Sequence, residues 1–237
     1  MLQHPLWKRS KNLAMMNKKN EVLEQLLGQK LLPLFYHESE STSIKIMHAL
    51  YDAGIKTVEY TNRGENALSN FSVMKKMIDA NWPGLHLGIG TIKNKEQAKQ
   101  FIDAGADYII CPSMNEEVAS ITHDAGLLWI PGCMTATEIA AAENAGATLV
   151  KIFPGSLLGP GYIHAIKDLF PGLKFMPTGG VEVEKENLQI WFASGVVAVG
   201  MGSKLVSKEL IAENNYAGIT KLTREALALV NEIAASR

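Results

Sequence analysis

The chain has 237 residues, 47% of them hydrophobic and 20% charged, with a formal net charge of -1. An apolar fraction of that size excludes a disordered chain, and near-neutral charge gives no electrostatic footprint for nucleic acid or an anionic membrane. No apolar run reaches the ~18 residues that a membrane span needs.

The opening stretch, MLQHPLWKRSKNLAMMNKKN, is basic but lacks the apolar core and small-residue cleavage site of a secretory signal. It reads as a poorly packed lead-in over residues 1–20, with Met15 and Met16 as alternative starts, ahead of one domain over residues 21–237. From there short β-rich runs alternate with helix-like stretches. LLPLFY (31–36) precedes STSIKIMHALYDAG, KTVEYT (56–61) precedes GENALSNFSVMKKMIDAN, and LHLGIGT (85–91) precedes NKEQAKQFIDAG. DYIICP is followed by MNEEVASITHDAG, LLWIPG by TATEIAAAENAG, and TLVKIFP by GPGYIHAIKDLF. KFMPTGG then leads into EVEKENLQIWFASG, and VVAVGMGS into a final helical segment. Gly54, Gly105, Gly126, Gly146 and Gly195 each stand just past the last apolar position of a helical stretch, where glycine takes the left-handed C-cap conformation.

Alternating units of this kind demand a parallel sheet, because each crossover helix returns the chain to the same edge. Eight units in a chain near the ~250-residue norm predict an α/β fold, a single-domain (β/α)8 TIM barrel with a C-terminal helix. A doubly wound open sheet, the rival, would bring a glycine-rich phosphate loop after its first strand, and LFYHESES contains none. Cys111 and Cys133 lie in separate strand-end segments without metal-ligand spacing, which fits small buried thiols in a reducing, cytoplasmic setting.

In a barrel the active site lies at the C-terminal ends of the strands. Lys56 and Lys174 begin their strands and read as solvated residues at the opposite end. Glu59 and Lys151 lie late in theirs, between Val58 and Tyr60 and between Val150 and Ile152. An unpaired charge there costs several kcal/mol, so each needs a partner or a function. A purely structural ion pair is the plain alternative; the position at the strand tops favours function. Burial disfavours an ammonium ion, and a neutral amine attacks a ketone or aldehyde to form a Schiff base. The protonated imine is an electron sink, so a C–C bond can break without a metal, while a carboxylate moves the protons.

The other strand tops supply grips. Arg63 follows the second strand, where a guanidinium can hold a carboxylate, though an exposed loop arginine fits the spacing equally well. Thr91 ends the third, either binding an anion or capping the next helix. Gly179 and Gly180 in PTGGV, with Ser203 in VGMGSK, follow strands seven and eight, where many barrels bind phosphate. The six histidines are scattered, and His37, just after the first strand, has no second ligand nearby, so no metal site is expected. No GxSxG elbow appears either.

Taken with LLPLF, GIKTVEYTNR, GIGTIKNKEQAKQFIDAGADYIICP, IPGCMTATEIAAAENAGATLVKIFP, KFMPTGGV and the GS of VGMGSKL, the chain resembles the class I 2-keto-3-deoxy-6-phosphogluconate (KDPG) aldolases, which often also cleave 4-hydroxy-2-oxoglutarate (KHG). The match runs in order from about Leu31 to Leu205. The resemblance implies that Lys151 forms the Schiff base and Glu59 is the general acid/base. It places Arg63 and Thr91 on the pyruvate-derived part of the substrate, Pro112 and Phe153 against the keto acid, and Gly179, Gly180, Gly202 and Ser203 at the phosphate end. It also implies a homotrimer with no metal or organic cofactor, acting on a small keto acid or phosphosugar acid. The chain departs from the family pattern at Tyr60, Asn62, Ser113, Gly155-Ser156 and Lys204, positions read as surrounding the substrate mouth. Alternatives are an aldolase for the galactonate epimer, a phosphosugar isomerase or epimerase using acid/base residues alone, and a non-catalytic binding or assembly protein.

Overall fold

The computed structural model describes residues 6–236, with side chains from Lys18 onward. The opening MLQHP and the side chains of Met15 and Met16, read above as lead-in, lie outside the described residues. A helix, α1, spans Leu6–Gln29 and passes unbroken through residue 20, where the sequence suggested a boundary. Nothing between residues 6 and 27 is Gly or Pro, and its Leu, Lys, Glu, Gln and Met lose little side-chain freedom in a helix. Its last turns pack, with Val22 and Leu26 fully buried.

Strands and helices then alternate: β1 Leu31–Phe35, α2 Glu40–Asp52, β2 Thr57–Thr61, α3 Ala67–Asn81, β3 His86–Gly90, α4 Lys95–Asp103, β4 Tyr108–Ile110, α5 Glu116–Asp124 and β5 Leu128–Ile130. The chain continues through β6 Gly132–Cys133, α6 Ala136–Asn144, β7 Leu149–Ile152, α7 Gly155–Ile166, β8 Lys174–Pro177, α8 Lys185–Ala193, β9 Val199–Met201, α9 Lys208–Ala212 and α10 Tyr216–Ala235. Side-chain caps start several of the helices: Asn94 accepts from Gln97 N–H and Asn115 from Val118 N–H, while Thr135 and Glu138 form a reciprocal capping box. The five C-cap glycines all take positive φ, from 69° to 110°.

All strand pairs are parallel, in a six-stranded sheet of order β5-β4-β3-β2-β1-β9 and a three-stranded one of order β6-β7-β8. The fold is therefore α/β with a curled parallel sheet. The single run expected at LLWIPG is split in two at Pro131, which has no N–H to give to a ladder. Across that break Lys151 N–H donates to the Pro131 carbonyl at 2.8 Å. On the other side, Thr178 bridges Gly200 in parallel, and Val197 N–H donates to the Phe175 carbonyl at 3.0 Å.

Side chains alternate across the sheet, dividing the core in two. Leu32, Tyr108, Ile110, Leu128, Ile130, Leu149, Met176 and Ala198 form the inner cluster, with Val22 and Leu26 of α1 set into it. Val58, Tyr60, Ile109, Cys111, Val150 and Ile152 belong to the outer cluster, between sheet and helices. Burial on both faces explains why these strands read as nearly continuous apolar runs.

Candidate active site

The same alternation fixes where the two strand-interior charges point. Val58 and Tyr60 face the helices, so Glu59 faces inward; Val150 and Ile152 face the helices, so Lys151 does too. Both are buried, 1% and 6% exposed. Lys151 Nζ lies 3.4 Å from Glu59 Oε1 and 3.5 Å from Oε2. Charge-assisted hydrogen bonds ordinarily close to about 2.7–2.9 Å, so the two groups attract without locking together. The amine also lies 5.5 Å from the Phe153 ring centroid, where the π face favours a cation.

Glycine makes room for this pair. Glu59 is in register with Gly88 and leans over Gly90, where an added Cβ would stand 1.8 Å from Oε1. At Gly88 a Cβ would stand 2.1 Å from the Tyr108 ring. Any side chain at either position would displace a group beside the carboxylate. Burial, and then the charges of Glu59 and Asp107, hold the Tyr108 hydroxyl well above the usual phenol range, so it stays neutral there.

The other sequence-derived candidates gather in separate places at the same end of the sheet. Arg63, Gly202 and Ser203 line a cleft of about 770 Å³ with Tyr36, His37, Glu38 and Lys208. Gly179 (φ 96°) and Gly180 (φ 72°) pack on the start of α7: a Cβ on Gly180 would stand 2.9 Å from Ser156 Cα, and Gly155 N–H donates to the Thr178 carbonyl at 2.8 Å. Thr91, at φ 64°, holds a left-handed conformation uncommon outside glycine, and Pro112 ends the neighbouring strand run. Neither Thr91 nor Pro112 lines that cleft.

Two readings change. Tyr60 does not border the substrate mouth: it points outward, packs edge-on to Phe35 at 5.2 Å, and donates its hydroxyl to the His37 carbonyl at 2.8 Å. Strand alternation put it on the face opposite Glu59, a signal already present in the sequence. His37, passed over for want of a second metal ligand, lines the cleft; its place at a strand top was the cue. Lys204 is engaged at the surface by Glu182 at 2.8 Å. Burial pushes the Cys111 and Cys133 thiols up to about 12 each, which suits inert packing groups. Among the described residues no three His, Cys, Asp or Glu gather as metal ligands, and no helix is long and apolar enough to cross a membrane.

The chain is similar to known proteins. The family model for KDPG and KHG aldolases matches residues 22–222. A 2-dehydro-3-deoxy-phosphogluconate aldolase from Treponema pallidum is 30% identical over 210 residues, which is 88% of this chain and 97% of the relative. A 2-dehydro-3-deoxy-6-phosphogalactonate aldolase from Escherichia coli is 34% identical over 183 residues, 76% of this chain and 87% of the relative. Among solved structures, the KDPG aldolase from Legionella pneumophila, with pyruvate captured as a covalent carbinolamine, superposes with a TM-score of 0.78 at 26% identity, covering 85% of this chain and 96% of that one.

Proposed function

This chain belongs to the KDPG and KHG aldolase family, and from that premise we propose that it cleaves 2-keto-3-deoxy-6-phosphogluconate to pyruvate and glyceraldehyde 3-phosphate through a Schiff base on Lys151. The observation that carries the reading is the loose, buried contact of the amine with Glu59 on the inner face of the sheet. A buried ion pair kept for stability would be expected to close and to satisfy its remaining hydrogen-bonding capacity.

In this mechanism Lys151 attacks the C2 carbonyl and water leaves, giving a protonated imine. Glu59 takes the C4 hydroxyl proton, the C3–C4 bond breaks, and its electron pair passes to the imine as an enamine. The aldehyde departs; the enamine is protonated at C3 and hydrolysed, freeing pyruvate and the amine. The electron sink is the imine itself, so the cycle calls for no metal or organic cofactor.

Arg63 and Thr91 are assigned to the pyruvate carboxylate, and Pro112 and Phe153 to the flank of the keto acid. Gly179, Gly180, Gly202 and Ser203 are assigned to the phosphate. The same chemistry extends to 4-hydroxy-2-oxoglutarate, giving pyruvate and glyoxylate; the galactonate epimer is the second reading, supported by the phosphogalactonate aldolase relative. We further propose one domain closed as an eight-fold barrel, supported by the Lys151–Pro131 and Thr178–Gly200 links between the two sheets. A homotrimer in the cytoplasm, serving sugar-acid breakdown by the Entner–Doudoroff route, completes the reading and rests on family membership.

The test is borohydride trapping with pyruvate, read by intact mass and peptide mapping. A pyruvate-derived adduct on Lys151 is expected. Folded protein with an unmodified lysine would overturn the Schiff-base mechanism.

A further inference from the structure

The cleft beside Arg63 holds a histidine that the mechanism above leaves unused. His37 and Glu38 form the turn after β1, and buried polar side chains converge on its backbone. The His37 carbonyl accepts from Tyr60 Oη at 2.8 Å and Asn70 Nδ2 at 3.2 Å, and the Ser43 hydroxyl is shared between it at 3.1 Å and the Ser39 carbonyl at 2.9 Å. The Glu38 carbonyl accepts from Asn70 Nδ2 at 2.9 Å and Asn66 Nδ2 at 3.3 Å. Tyr60, Ser43 and Asn70 are all buried, so their donors are committed to holding this one turn. Tyr36 ties the turn to the Arg63 loop: its hydroxyl lies 2.1 Å from where a Cβ on Gly64 would stand.

The ring of His37 is oriented as well. Ser39 N–H donates to Nδ1 at 3.0 Å. A ring nitrogen that accepts carries no proton, so in the neutral imidazole the proton sits on Nε2. The cleft therefore contains an N–H donor of fixed tautomer on a pinned turn, beside the cations of Arg63 and Lys208, the Ser203 hydroxyl and the Glu38 carboxylate.

We propose that His37 is a specificity-determining residue, its Nε2–H donating to an oxygen at the distal end of the aldehyde-derived half of the substrate. The inference rests on the aldolase reading, in which Lys151 holds the pyruvate half and Gly202 and Ser203, which line this cleft, are assigned to the phosphate at the far end of the substrate. A donor on a rigid turn discriminates by what reaches it. An aldehyde that places an oxygen there is favoured, and a shorter one leaves the N–H unpaired. Tyr60, Ser43 and Asn70 then act as positioning residues, which gives the tyrosine departure at position 60 a role on the outer face.

The test runs the reaction toward condensation, pairing pyruvate with glyceraldehyde 3-phosphate or with two-carbon glyoxylate. In His37→Asn the amide oxygen can still accept from Ser39 N–H while the donor is withdrawn from the cleft. The expected result is a fall of about tenfold in kcat/KM with glyceraldehyde 3-phosphate, the scale of one lost hydrogen bond, with glyoxylate kinetics and pyruvate trapping on Lys151 unchanged. Tyr60→Phe, which keeps the ring and frees the His37 carbonyl from one donor, should give the same selective fall at smaller size. Equal losses with both aldehydes, or no loss, would overturn the inference. So would a wild-type chain that traps pyruvate yet prefers glyoxylate. Failure of wild-type trapping would instead remove the aldolase reading beneath it.

Discussion

Two buried carboxylates stand at opposite ends of the same sheet, each facing lysine. At the end where the strands begin, Asp107 is saturated: Oδ1 lies 2.9 Å from Lys18 Nζ, Oδ2 lies 3.1 Å from Lys75 Nζ, and Leu87 N–H donates to Oδ2 at 2.8 Å. At the end where the strands finish, Glu59 has one lysine at 3.4–3.5 Å and a bare glycine beneath it. Both acids are at most 2% exposed. The first arrangement uses three close contacts to hold α1, α3 and β3 together. The second leaves an amine and a carboxylate close enough to exchange a proton through substrate and loose enough to admit it. Burial of a charge does not by itself separate structure from chemistry; the completeness of its hydrogen bonding does.

The sharpest way to break the comparison is Lys151→Met. Turnover and the borohydride adduct should vanish, a loss on the order of 10⁴-fold or more. Melting temperature should hold or rise in the double variant with Glu59→Gln, since an apolar replacement of a loose buried pair is often neutral or stabilising. A marked fall in melting temperature would make this pair structural after all. Glu59→Gln alone should lower kcat by about 10³-fold, the range of a general acid/base, while pyruvate still reaches Lys151. Absence of an adduct in that variant would assign Glu59 to imine formation as well.

Gly90→Ala sharpens the geometry without touching a charge. The added methyl would meet Oε1, the carboxylate must swing aside, and a displacement near 1 Å can cost about 10²-fold in rate. Kinetics like those of the unchanged chain would show that the carboxylate has latitude. At the other end, Asp107→Ala should leave low-temperature activity intact and cost about 3 kcal/mol of stability in denaturant titration, because a half-buried lysine and a backbone N–H lose their acceptor. Lys75 agrees in sign: burial lowers its pKa, yet the Asp107 charge and the bonds to Asp107 and Asp79 raise it overall.

The outer face gives a pH-dependent effect and a control. Cys111 and Cys133, pushed up to about 12 by burial, keep their protons in the folded chain while the unfolded chain loses them from the ordinary value of 9.0 upward. The unfolded state then binds fewer protons, so the stability these neutral thiols contribute is full below pH 9 and is lost as pH rises toward 12. Chemical denaturation from pH 8 to 11 should show the decline, and Cys111→Ala with Cys133→Ala should flatten it. An unflattened decline would place the alkaline sensitivity in other groups.

The alternation of elements was legible because the strands are buried on both faces and five of the helices close on a glycine of positive φ, both local signals. The inward facing of Glu59 and Lys151 was equally local, since alternation needs only Val58 and Tyr60, or Val150 and Ile152, to declare the outer face. The same rule placed Tyr60 outside, and reading it at the mouth overrode that rule with family position alone. Asp107 went unremarked because one acid at a strand start looks solvated in sequence; its lysines come from helices 32 and 89 positions away, at Lys75 and Lys18.

The sequence by itself determined the order of elements, the strand-end placement of chemistry and the identity of the two inward charges, because period, glycine punctuation and residue type act over a few residues. Only the tertiary structure decided how far apart those charges stand, that Gly90 yields its space to Glu59, that a helix crosses the apparent lead-in boundary, and that Tyr60 reaches around to hold the His37 turn. Those are distances between segments far apart in the chain, and they are set by how the whole sheet curls and packs.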